Sequence, residues 1–227
     1  MNASVSAPLV LAFRDDEALA GALSAAAAAD LGTLVLHRFP DGESMVRIDA
    51  DVAGRDILLA CNLVHPDEKI LPLMFAADAA RELGGRHILL AAPYLPYMRQ
   101  DKRFHPGEAI TSRTFARLLS SCVDGIVTVD PHLHRYHSLG DIYTVPASVV
   151  HSAPAIAEWI RQNVANALVV GPDSESEQWV SDVAARAGVP FVVLQKTRHG
   201  DRQVEIAQRD FQQWKSRHPV IIDDIVS

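Results

Sequence analysis

The chain has 227 residues, enough for one large domain or two small ones with a real hydrophobic core. Its 48 % hydrophobic and 22 % charged content is that of an ordinary globular protein, and no window approaches the ~20 apolar residues of a membrane span. A net charge of −7 and a pI near 5.8 argue against a general nucleic-acid binder, although a local cationic cluster could still take an anionic substrate.

The start, MNASVSAPLVLAF, has no basic n-region and too short an apolar run for a signal peptide. Leu9–Phe13 reads as a strand and Asp15–Ala29 as a helix with acids in its first turn, where the macrodipole favours them. Thr33–Arg38 is a predicted strand, and Ser44–Ile48 alternates as a half-buried strand does. Asp56–Cys61 is a buried strand, and Pro66–Leu83 a helix closed by Gly84-Gly85. His87–Ala92 is a strand that opens into a long loop rich in Pro, Tyr and charge; Thr111–Ser121 is helical, Gly125–Asp130 a strand and Ile142–Val145 another. A second cycle follows: helix Ser152–Asn163, strand Ala167–Gly171, helix Ser176–Ala187 ending at Gly188, and strand Phe191–Gln195. Cys61 and Cys122 lie in apolar surroundings without CxxC spacing, the pattern of buried free thiols in a reducing cytoplasm.

Repeated βα units imply an α/β protein with mainly parallel sheets and helices on both faces. The segment Tyr143–Ser148 is the natural boundary between two similar units, residues 1–146 and 147–227, the second unfinished as it stands.

Six stations could carry chemistry. Phe39-Pro40-Asp41-Gly42-Glu43 puts a ring and two carboxylates on a turn between strands; a purine site and a plain hairpin turn both fit. Tyr94-Leu95-Pro96-Tyr97-Met98-Arg99-Gln100-Asp101-Lys102-Arg103 follows a buried strand and offers Arg forks and a Lys point charge for phosphate, or is a solvated charged loop. Asp130-Pro131-His132-Leu133-His134 ends a strand with groups suited to a divalent metal or a phosphate; its i, i+2 histidines lack the HExxH spacing of a zinc protease. Asp173 opens an acidic run, Gly171–Glu177, that could cap a helix or face a metal-bound phosphate. Lys196-Thr197-Arg198-His199-Gly200 reads as a mobile cationic loop, either a charged turn or a clamp for phosphoryl transfer. The chain closes on Val220-Ile221-Ile222-Asp223-Asp224-Ile225-Val226-Ser227, a buried strand delivering two acids to the edge where open α/β sheets bind ligands.

Taken in order, FPDGE, PYLPYMRQDKR, DPHLHRY and VIIDDIVS resemble a ribose-phosphate pyrophosphokinase, or PRPP synthetase. That resemblance implies two phosphoribosyltransferase-type domains and the transfer of pyrophosphate from MgATP to the C1 hydroxyl of ribose 5-phosphate. It implies that Phe39, Asp41 and Glu43 bind adenine across a subunit boundary, and hence a homo-oligomer, dimer or hexamer. It implies that Arg99, Gln100 and Asp101 hold ATP, that His132 and Asp173 organise Mg²⁺, and that Lys196 and Arg198 stabilise the transferred group. Asp223 and Asp224 would hold the ribose. Ser174-Glu175-Ser176-Glu177-Gln178-Trp179 departs from the small Gly-rich turn usual in that family, and the Thr/Gly turn that follows the paired acids there is not among these residues. The alternatives are a non-catalytic nucleotide-binding regulatory homologue and a phosphoribosyltransferase. The latter has no need of the FPDGE and RQD stations.

Overall fold

Apolar runs that alternate in phase become strands, and the Ala-rich stretches between them become the helices that cover the sheet. In the computed structural model, which describes residues 6–194, 196–198, 204–206 and 211–223, the chain divides into two compact units, Met1–Val150 and His151–Ser227. The first unit runs β1 (Leu9–Ala12), α1 (Glu17–Ala27), β2 (Asp30–Arg38), β3 (Ser44–Asp49), β4 (Asp56–Ala60), α2 (Pro66–Glu82), β5 (His87–Ala91), α3 (Thr111–Cys122), β6 (Gly125–Val129) and β7 (Ala147–Val150). The second runs α4 (Ala153–Asn163), β8 (Ala167–Gly171), α5 (Glu177–Ala187), β9 (Phe191–Val193), β10 (Lys196–Arg198), β11 (Val204–Ile206) and β12 (His218–Ile221).

Unit 1 is one sheet in the order β3-β2-β1-β4-β5-β6-β7, parallel throughout except for the β2–β3 hairpin at its edge. Strand alternation decides which helix covers which face. Leu9, Leu11, Ile57, Leu59, Ile88 and Leu90 pack against α2 and α3 through Leu73, Ala76, Ala77, Ala80, Phe115 and Leu119. Val10 and Ala60 face the other way and meet Ala20 of α1. Both cysteines are free and buried, and burial pushes the Cys61 thiol up to about 12, so it is an inert apolar filler. Unit 2 has a parallel sheet β12-β8-β9 and a separate antiparallel ribbon β10–β11. Its core joins Val169 of β8 to Ala157 and Ile160 of α4 and to Val180, Val183 and Ala184 of α5. Among the described residues no helix is long and apolar enough to cross a membrane.

Several expected elements shift. The helix expected from Asp15 starts at Glu17, because Asp15 takes a left-handed φ of 73°, and it ends where Ala28 does the same at 48°. Ile142–Val145 is not a strand. The amides of Ile142 and Tyr143 donate to the Leu139 carbonyl, closing a 3₁₀ turn over Leu139–Asp141, and the Thr144 amide donates to Ser120 Oγ. With those donors spent and no N–H on Pro146, the strand begins only at Ala147. Lys196–Arg198 is strand rather than loop: Lys196 pairs with Ile206, Thr197 with Glu205 and Arg198 with Val204. The last strand starts earlier than the apolar run suggests, at His218, and stops at Ile221. Gln195, His199, Gly200 and Asp224 lie outside the described residues.

Candidate active site

In a parallel sheet every strand delivers its following loop to the same edge, and ligands bind there. Unit 1 sends three of the sequence-selected stations to that edge: the Phe39 turn after β2, the Arg99 loop after β5 and the His132 loop after β6.

The Phe39 turn is built locally. The Phe39 amide donates to the Glu43 carbonyl at 2.8 Å, the Gly42 amide to the Phe39 carbonyl at 2.9 Å, and the Glu43 amide to Asp41 Oδ1 at 3.1 Å. Gly42 has φ +93°, a conformation costly for any residue with a Cβ. The product is a rigid turn whose ring and acids face water: Phe39 is 41 % exposed, held edge-on by His37 with centroids 4.6 Å apart. In the sheet it lies three strand spacings from β5, about 14 Å.

The loop after β5 is anchored from below. Leu95 and Met98 are buried, and Tyr97, at φ 64°, packs its ring on Phe115 with centroids 4.9 Å apart while its hydroxyl bonds to Asp67. That carboxylate pushes the phenol up to about 12, so Tyr97 stays neutral. The anchoring leaves Arg99 and Gln100 exposed at the tip. Asp101 differs: its side chain is 1 % exposed, and both its oxygens accept from Arg135 Nη1, at 2.7 and 3.0 Å. Ser112, at the start of α3, fixes the Gln100 carbonyl through its hydroxyl at 2.9 Å and its amide at 3.3 Å, and shares a bond with the Tyr136 hydroxyl at 2.9 Å. Glu108 closes the far end by accepting from the amides of Phe104 and His105, and bonding to the His105 ring holds its carboxyl below the usual range. Sequence reasoning missed Arg135, Ser112 and Tyr136; only the RY of DPHLHRY signalled two of them. His132, half-buried, sits with its ring centroid 6.2 Å from that of His134.

In unit 2, β12 and β8 are neighbouring parallel strands, with Ile221 opposite Val170 and the Ile222 amide donating to the Val170 carbonyl at 3.0 Å. Asp223 and Asp173 each follow two residues after these strands, at the carboxyl edge, both partly buried. Asp173 also organises its own turn, accepting from the Ser176 amide at 3.2 Å and, through its carbonyl, from Ser176 Oγ at 2.6 Å. That hydroxyl occupies the space where a Cβ on Gly171 would sit, so position 171 admits only glycine without rearrangement. The Ser174–Trp179 departure thus folds as a 3₁₀ turn leading into α5. Lys196 and Arg198 stand on β10, two residues apart.

These two α/β units, with acids past the carboxyl ends of strands in mainly parallel sheets, are phosphoribosyltransferase-type domains, the second with three strands in its main sheet. The model for the N-terminal domain of ribose phosphate pyrophosphokinase matches residues 9–122, and that for the phosphoribosyl transferase domain matches residues 138–227. The chain is 31 % identical over 220 residues to the ribose-phosphate pyrophosphokinase of Methanopyrus kandleri, covering 96 % of this chain and 74 % of that one. It is 30 % identical over 220 residues to the enzyme of the same name from Halobacterium salinarum, covering 96 % and 76 %. The crystal structure of phosphoribosylpyrophosphate synthetase from Mycobacterium smegmatis shares the fold, with a TM-score of 0.78 at 24 % identity over 96 % of this chain and 71 % of that one. The chain belongs to the ribose-phosphate pyrophosphokinase family of enzymes. A phosphoribosyltransferase standing alone is excluded by the match over residues 9–122, which holds the FPDGE and RQD stations.

Proposed function

We propose that this protein makes PRPP by transferring the pyrophosphoryl group of MgATP to ribose 5-phosphate, in the cytoplasm. The C1 hydroxyl oxygen forms a bond to the β-phosphorus, the bond from that phosphorus to the oxygen bridging to the α-phosphate breaks, AMP leaves, and the hydroxyl proton passes to solvent. The observation that carries this reading is the joint placement of the Arg99–Asp101 and His132 loops on adjacent strands of one sheet edge, tied to each other through Asp101 and Arg135.

In this reading Arg99 and Gln100, exposed on an anchored loop, bind the polyphosphate, with Asp101 holding the loop's geometry. Asp223 and Asp224 accept hydrogen bonds from the ribose hydroxyls. Lys196 and Arg198 act where charge develops on the transferred phosphorus, so they serve the transition state more than the ground state. The Phe39 turn, about 14 Å across the sheet from β5, takes the adenine of a site completed by a second copy of the chain, which makes the working form a homo-oligomer. The donor set suits Mg²⁺: this ion is usually held by one or two carboxylates plus substrate phosphates, Asp173 would supply such a carboxylate, and His132 would be the other residue to organise the ion. When bound, the ion neutralises charge on the phosphate oxygens.

The test is to incubate the protein with MgATP and ribose 5-phosphate and follow products by ³¹P NMR. Equal amounts of AMP and PRPP are expected. ADP as the nucleotide product would overturn the reaction, and ATP binding without turnover would favour the regulatory homologue.

A further inference from the structure

The buried acid of the RQD station does not itself reach solvent. Asp101 has 1 % of its side chain exposed, and both its oxygens are occupied by a single nitrogen, Nη1 of Arg135. Arg135 comes from the loop after β6, 34 residues on, and its side chain is 37 % exposed. The guanidinium carbon lies 5.8 Å from the centroid of Phe104, whose ring also carries Lys102 Nζ at 5.1 Å. The backbone on either side is fixed as well, since the Tyr136 hydroxyl bonds to Ser112 Oγ at 2.9 Å and reaches the Asp101 carbonyl at 3.4 Å.

A guanidinium held this way is costly to build for stability alone. A buried carboxylate needs a partner, but a hydroxyl or amide would satisfy it with less desolvation than an arginine that keeps an exposed edge. What the arrangement does supply is an arginine, its planar fork immobilised through one nitrogen and steadied by a ring, partly exposed, at the sheet edge to which the Arg99 and His132 loops also run. Such a fork matches two phosphate oxygens, and pre-fixing it removes the rotamer entropy that a free arginine would lose on binding.

We propose that Arg135 is a phosphate-binding residue of the nucleotide site and that Asp101 is its positioning residue, acting on ATP through Arg135 and not by direct contact. This rests on the proposed PRPP synthesis and assigns that site a ligand beyond the Arg99–Asp101 loop.

The test is calorimetry of MgATP and of adenosine binding to wild type, Arg135→Gln, Asp101→Asn and the double variant, with thermal melting of each. Arg135→Gln should weaken MgATP about ten- to a hundredfold, the loss of a charged hydrogen bond or two, and leave adenosine unchanged. It also strands a buried carboxylate, so its melting temperature should fall. The double variant replaces the ion pair by two neutral amides and should melt higher than Arg135→Gln while binding MgATP no better. Asp101→Asn should weaken MgATP less than Arg135→Gln, and adding it to Arg135→Gln should cost no further affinity. Recovery of MgATP affinity in the double variant would make Arg135 a structural residue and overturn the proposal, as would equal losses for ATP and adenosine. Additive losses in the double variant would restore Asp101 as a direct ligand and overturn its role here. If wild type binds no MgATP, the proposed function itself falls, an outcome distinct from wild-type binding that the variants leave untouched.

Discussion

In unit 1 the loop bearing Arg99 and Gln100 is tied by side chains from three directions: Tyr97 to Asp67 below, Ser112 to the Gln100 carbonyl from α3, and Arg135 to Asp101 from the next strand. In unit 2 the acids Asp173 and Asp223 each lie two residues past the end of a strand, β8 and β12, which run side by side in parallel. A loop eight residues past its strand has no register to inherit, so it needs partners gathered from elsewhere in the chain. An acid two residues past a strand end is positioned by the strand. Side-chain substitutions should therefore disturb the Arg99 loop of unit 1 at its ties, and changes that shift the end of β8 or the turn after it should disturb Asp173 in unit 2.

The largest effect belongs to unit 2. Lys196→Ala and Arg198→Ala, if those cations serve the transition state, should each lower kcat more than a hundredfold, about 3 kcal/mol, with little change in KM. Steady-state rates of AMP and PRPP formation check this; near-normal kcat in both variants would reduce the β10 cations to surface charge. Next comes Gly171→Ala. An added Cβ would lie 2.3 Å from Ser176 Oγ and 3.0 Å from Val180 Cγ2, an overlap that should cost about 1–3 kcal/mol and shift the turn that carries Asp173. Urea denaturation measures the cost. Adding Ser176→Ala removes the nearer atom and should recover part of it, and no recovery would show that the strain lies elsewhere. A smaller effect is expected at a tie of unit 1. Ser112→Ala deletes the hydroxyl bonded to the Gln100 carbonyl and Tyr136, for about 0.5–1.5 kcal/mol, and should raise KM for ATP a few-fold while KM for ribose 5-phosphate stays put. A parallel rise in both KM values would contradict the division of labour between the units.

The same contrast governs what could be read from the chain. The strands of both units announce themselves as apolar runs such as Asp56–Ala60 and Ala167–Gly171, and the helices as Ala-rich stretches between them, because period and composition are local properties. The station residues are legible too, since Arg99, His132, Asp173 and Asp223 all follow strand ends. What resists reading is pairing across distance. Arg135 sits inside a motif visible by eye, yet its partner Asp101 is 34 residues earlier, and nothing local distinguishes it from a solvated arginine. Lys196–Arg198 reads as a loop because its strand character comes from pairing with Val204–Ile206. Ile142–Val145 has strand-like residues, but their amides are claimed by Leu139 and Ser120. Propensity yields there to bonds that only the fold supplies.

The smallest expected effect separates two ion pairs on one sheet. At the carboxyl edge Asp101 is buried against Arg135. At the amino edge, where β4 and β5 begin, Asp56 meets Arg86 Nε at 2.8 Å and His87 Nδ1 at 2.8 Å in partly solvated surroundings. Bonding to Arg86 first, and to His87 after it, lowers the Asp56 carboxyl from its ordinary 3.8 to about 2. A carboxyl whose folded pKa is depressed stabilises the fold fully above its unfolded pKa, and the contribution fades as pH falls through the window from about 4 to about 2. Solvent screens this pair, so its contribution should be ~1 kcal/mol or less. Urea midpoints of wild type and Asp56→Asn should therefore differ slightly at pH 7 and converge near pH 2, with the gap at pH 7 shrinking in high salt. Because the pair sits at the edge opposite the site, KM for ATP should not move. A gap that persists below pH 2 would mean Asp56 contributes through packing or neutral hydrogen bonds. A shift in KM for ATP would mean the two edges of the sheet are coupled, which the rigid parallel strands between them give no route for.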